Sequence, residues 1–133
     1  MENDIIVLNR PRKLKRGLTI EACGRLTFRS VPCKLLRLTA GKKIVFIYKS
    51  EQLYIIQSDR FENSIRLYGR DGQLHGNSVS TTKAIISNYL RDVPPGTREI
   101  DLVVAGKTED INIDGAVYPA LAVINRADKE HCR

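Results

Sequence analysis

The sequence predicts a single, mostly β domain of the α+β class: a small barrel built from two pseudo-symmetric strand–helix–hairpin units. Three observations predict it. The 133 residues suffice for one core without staples, with 42% hydrophobic and 28% charged residues. Short β-branched and aromatic runs alternate with Gly, Asp and Asn turn signals along the chain. The order of elements after Gly24 recurs after Gly72. The division that follows is a first unit over 1–62 with a basic N-terminal arm, a second unit over 63–124, and a polar tail over 125–133.

Taken in order, Asp4 to Asn9 is a short β-rich run. Residues 10–17 (Arg10, Pro11, Arg12, Lys13, Leu14, Lys15, Arg16, Gly17) form a basic arm, since Pro11 excludes a regular central strand. Leu18–Ile20 and Leu26–Phe28 are extended, the latter alternating like a half-buried strand. Ser30 as N-cap and Pro32 in the first turn place a helix from about Val31 to Arg37, burying Leu35, Leu36 and Leu38. After the turn at Gly41, Ile44–Tyr48 and Leu53–Ile56 make a hairpin around a loop over Lys49–Gln52. Ser64–Tyr68 is a strand, Asp71-Gly72 a tight turn, and Ser80 an N-cap for a helix over Thr81–Leu90 that ends before Pro94-Pro95. Ile100–Val104, Ile111–Ile113 and Val117–Ile124 are strands, the last interrupted at Pro119.

The repeat is explicit when Gly24–Val31 is set beside Gly72–Val79. At an offset of 48, Gly, Leu, Ser and Val coincide. Each copy continues into a helix, then Leu38-Thr39-Ala40-Gly41 or Val93-Pro94-Pro95-Gly96, then a long strand. Two such units can pair about a pseudo-twofold axis, either within a monomer or between the chains of a homodimer.

The charge of +7 is concentrated at one end. Residues 1–43 carry eleven Lys/Arg against Glu2, Asp4 and Glu21, while residues 44–133 carry eleven against twelve acids. Such asymmetry points to a polyanionic partner, or else to a solvated basic face. Catalytic signatures are absent from the pattern. His75 and His131 stand apart, and Gly106-Lys107-Thr108 lacks the upstream glycine of a phosphate loop. Cys23, Cys33 and Cys132 contain no C-x-x-C pair and read as reduced thiols. A zinc site at His131 and Cys132 would need ligands that only His75 and scattered carboxylates could supply. The reading is therefore of a non-enzymatic protein with no cofactor, no metal and no membrane span, placed in the cytoplasm by default.

The stretch from Gly24 to Ile56 resembles the swapped-hairpin domain of the AbrB/SpoVT transcription-regulator family. It has Gly24-Arg25, a strand at Leu26–Phe28, a short helix at Val31–Leu36, a turn at Leu38–Gly41 and a hairpin at Ile44–Ile56. The resemblance implies an intertwined barrel closed by two units, here duplicated in one chain. It also implies DNA binding, carried onto Arg25 and Lys34. The sequence departs from the family pattern at Arg29, where a proline is usual, at Lys42, where an acid is usual, and at Gln73, where the second unit lacks the arginine. The candidate DNA-contacting set is thus the arm (Arg10, Arg12, Lys13, Lys15, Arg16) with Arg25, Arg29, Lys34, Arg37, Lys42 and Lys43. Duplex DNA is the expected partner; the alternative is an assembly module that meets an acidic protein surface.

Overall fold

The computed structural model describes residues 16–127 apart from 91, 92 and 95. Arg10, Arg12, Lys13 and Lys15 of the basic arm, the Asp4–Asn9 run, His131 and Cys132 lie outside the described residues.

The described residues form ten strands and two short helices: β1 (Arg16–Glu21), β2 (Arg25–Phe28), α1 (Ser30–Leu35), β3 (Lys43–Lys49), β4 (Gln52–Gln57), β5 (Ile65–Arg66), β6 (Tyr68–Arg70), β7 (Gln73–Asn77), α2 (Val79–Ala84), β8 (Glu99–Val104), β9 (Glu109–Ile113) and β10 (Ala116–Ala127). A single π-helical turn, Ile85–Tyr89, extends α2. The strands make one antiparallel sheet in the order β5-β3-β4-β10-β8-β1-β2-β7-β6, with β9 on β10. Only Leu67 separates β5 from β6, so the two ends of this path are one bent strand. The sheet returns on itself as a nearly closed barrel.

Turn chemistry sets the hairpins. Ser50-Glu51, Asp71-Gly72 and Asp114-Gly115 all have positive φ at both central residues, the geometry whose twist matches the flanking strands. The register at each is tight: Lys49 faces Gln52, Arg70 faces Gln73, and Ile113 faces Ala116. Inward-facing side chains fill the barrel, among them Leu18, Ile20, Leu26, Phe28, Ile44, Ile55, Leu67, Leu102 and Leu121, all nearly fully buried. A second, smaller cluster lies on the other side of β3–β4, where Ile111, Ile113 and Tyr118 of the β9–β10 ribbon cover Val45, Ile47, Tyr54 and Ile56.

Several boundaries differ from the sequence reading, each for a local reason. Arg16 and Gly17 belong to β1 rather than to the arm. The N-cap of α1 is Arg29, not Ser30: its backbone is extended and no side chain caps the helix. The helix stops at Leu35 because Arg37 turns left-handed (φ 55°), which lets Leu38 N–H reach the Cys33 carbonyl at 2.8 Å. In α2 the cap is Ser78, whose Oγ accepts from Thr81 N–H at 3.2 Å, and Ser80 lies within the first turn. The strand read over Ser64–Tyr68 breaks at Leu67, whose backbone bonds turn to Gly41 and Lys42 at 2.8 Å each. Pro119 does not interrupt β10, because the ladder to β4 begins one residue later, at Ala120 opposite Ile56. The strand continues to Ala127, taking in the start of the supposed tail.

Candidate nucleic-acid interface

On the outer surface of β8-β1-β2-β7-β6 the registers bring one residue from each strand into a row. Asp101 faces Thr19, Thr19 faces Thr27, Thr27 faces His75, and His75 faces Tyr68. Thr19 donates to Asp101 Oδ1 at 2.6 Å, and Thr27 Oγ1 shares a 3.1 Å hydrogen bond with His75 Nδ1. Both threonines and His75 are buried, so these bonds replace water rather than add to it. Arg29 joins the row from α1's N-cap. Its Nη2 donates to Thr19 Oγ1 at 2.8 Å and lies 3.8 Å from Asp101 Oδ1. This guanidinium is held by the protein's own carboxylate.

The opposite side of the barrel is arranged differently. β5 meets β3 over only two register pairs, Lys43 with Arg66 and Ile44 with Ile65. Below them a cleft of about 450 Å³ is lined by Lys42, Lys43, Arg60 and Arg66, with Gln57, Ser58 and Tyr118, and with Asp59 as the one acid. Hydrogen bonds fix the backbone that carries Lys42, Lys43 and Arg60. Ser58 N–H donates to Lys43 O at 2.9 Å, Ser58 Oγ accepts from Arg60 N–H at 3.1 Å, and Leu67 N–H donates to Lys42 O at 2.8 Å. Gly41, at φ 95°, supplies the left-handed step that starts β3 here. Gln57 ties the cleft to α1 by donating to the Leu36 carbonyl at 3.1 Å, one residue before the exposed Arg37. Four positive side chains around one concavity give the field that draws phosphate, and two are guanidinium forks.

Of the residues singled out from the sequence, Lys42 and Lys43 line the cleft; Arg37 does not line it, and is exposed next to Leu36, whose carbonyl Gln57 of the cleft bonds. Lys34 is exposed on α1. Arg25 is exposed on β2, where Glu21 Oε2 accepts from its Nε at 2.9 Å and keeps it firmly charged. Arg29 is half-buried in the polar row. Of Arg16 only the strand backbone is described. The sequence reading missed Arg60 and Arg66. Arg66 sits outward on a strand whose alternation, Ile65 in, Arg66 out, Leu67 in, was visible, but in a segment whose net charge is negative.

Among the described residues there is no helix long and apolar enough to cross a membrane and no group of three or more His, Cys, Asp or Glu placed to hold a metal. Cys23 is exposed and Cys33 half-buried, both as free thiols; burial raises the Cys33 pKa. Comparison with family models, curated proteins and solved structures finds no match to this chain.

Proposed function

We propose that the protein binds DNA by its phosphate backbone, through the basic cleft at the start of β3. The observation that carries this is the convergence of Lys42, Lys43, Arg60 and Arg66 on one concavity opposed by a single acid. Arg37 is exposed one residue after Leu36, whose carbonyl Gln57 of the cleft bonds, and Lys34 is exposed on α1. Contacts of this kind fix position on a duplex without reading its sequence. A role in transcription control follows from the family likeness of residues 24–56, with the first unit supplying most of the contacts.

On the same reading the barrel is a duplicated swapped hairpin. Its support is the interleaving of the two halves: around the barrel, hairpin β1–β2 is followed by β7 and β6, then β3–β4, then β10 and β8. Further support is the pairing of β2 with β7, in which Thr27 stands opposite His75, 48 residues on.

The test is titration of a labelled duplex with the pure protein at about 50 mM and about 200 mM salt, where losing four or more phosphate contacts lowers affinity by well over tenfold. Absence of binding at the lower salt would overturn the proposal. Self-assembly in light scattering with no DNA bound would place the protein among assembly modules instead.

A further inference from the structure

Because β5 pairs with β3 over two residues only, β3 from Val45 onward has no neighbour on that side among the described strands, and the barrel wall is open there. A cavity of about 620 Å³ occupies the gap, roofed by α2 and its π-helical turn. Its floor is the barrel interior, with Phe46, Leu53 and Ile65. Its rim carries amides and hydroxyls, including Asn63, Asn77 and Thr81, with Glu62 as its one acid and Arg66 as its one cation. At the mouth Tyr48 and Tyr89 pack ring to ring, centroids 4.5 Å apart and tilted by 44°. Tyr48 points inward by strand alternation, yet it lies past the last covered position of β3 and is 46% exposed. Two features of the cavity point to its ligand. An apolar floor with an accessible aromatic face suits a flat ring, and the polar rim suits the ring's hydrogen-bonding edges. Arg66 lines both this cavity and the basic cleft, so a phosphate held by Arg66 would have the cations on one side and the aromatic pair on the other.

We propose that the open mouth of the barrel receives one unpaired nucleotide, with its base against Tyr48 and Tyr89 and its phosphate on Arg66. The inference rests on the DNA-binding reading above and deepens it: the duplex-binding cleft continues into a single-nucleotide pocket. A base within a duplex has both faces stacked and its edge paired, so the pocket takes only a base at a strand end, in a single strand or turned out of the helix. The π-helical turn serves this arrangement by setting Tyr89 at the end of α2, opposite Tyr48.

The decisive experiment measures wild type, Tyr48→Ala and Tyr48→Phe against a labelled oligothymidylate and a labelled duplex, with folding checked by circular dichroism. The wild type is expected to bind the single strand with quenching of tyrosine fluorescence. Tyr48→Ala is expected to weaken single-strand binding by about tenfold and leave duplex binding within twofold, while Tyr48→Phe, which keeps the ring, retains both. Thymidine 5′-monophosphate added to the isotopically labelled wild type should move the amide signals around Tyr48, Thr81 and Tyr89. Equal shifts from thymidine alone would remove Arg66 from the site and overturn the proposal. Duplex binding with single-strand binding indifferent to Tyr48→Ala would overturn the pocket and leave the cleft standing. Failure of the wild type to bind either nucleic acid at low salt would overturn the DNA-binding reading itself.

Discussion

Strands of residues 16–57 meet strands of residues 65–127 along four seams, and two of these differ in almost every respect: β1 against β8, and β3 against β5. The first is paired from Arg16 to Glu21, and across it Arg29 is bonded to Thr19 and faces Asp101. The second is paired over two residues and leaves Lys42, Lys43, Arg60 and Arg66 around an open cleft. Both seams carry arginine, yet only in the second does it line an open cleft. A cation's availability depends on the carboxylate that the fold places beside it, and a count of lysines and arginines cannot see that.

The largest expected effect lies at the open seam. Replacing Lys42, Lys43, Arg60 and Arg66 by alanine together should lower duplex affinity by about a hundredfold at low salt and flatten the salt dependence by three to four counterions or so. The exposed positions of three of these side chains leave the fold intact, which thermal melting would verify. A loss below about fivefold would erase the functional contrast between the seams. Next comes the closed seam. Asp101→Ala strips Thr19 of its acceptor and Arg29 of its counter-charge and should cost about 1–3 kcal/mol in urea unfolding, without lowering duplex affinity. Should DNA binding fall instead, the row would be part of the interface.

A smaller effect is expected at Arg25. Glu21→Gln releases this exposed guanidinium and should raise duplex affinity by about two- to threefold at low salt, a gain that vanishes at physiological salt. The least effect concerns the thiols. Burial holds the Cys33 thiol above its ordinary pKa, so iodoacetamide at mildly alkaline pH should alkylate exposed Cys23 well before Cys33, as peptide mapping would read. The sign for stability follows. Cys33's contribution is full below the unfolded thiol's pKa and declines as pH rises through it toward the raised folded value, so unfolding should become slightly easier in alkali.

Much of the barrel was legible from local chemistry. Asp71-Gly72 announced its turn, Leu26 to Phe28 and Ile100 to Val104 their strands, and Gly24 and Gly72 the recurring order. The site was legible only in part. Lys42 and Lys43 were visible in the basic first third, whereas Arg66 was hidden in a segment with more acids than bases. The polar row could not be read at all: Thr19, Thr27, Tyr68, His75 and Asp101 become neighbours only through four strand registers. Strand alternation turns Tyr48 toward the core, and its exposure depends on where β5 stops pairing.

At the centre of the β2–β7 pair, Leu26 faces Gly76 and Phe28 faces Leu74. Phe28 and Gly76 are therefore equivalent places on either side of the pair's midpoint, one filled by the largest fully buried side chain among the described residues and one by none. A Cβ on Gly76 would lie 2.9 Å from Ile65 and 3.3 Å from Leu67, so the second place has no room to spare. Two identical chains meeting there would have to present two phenylalanines or two glycines, an overfull centre or a void. Joining the halves in one chain removes that obligation. Each side of the midpoint can change without its counterpart, and the same freedom lets one seam close while the other stays open.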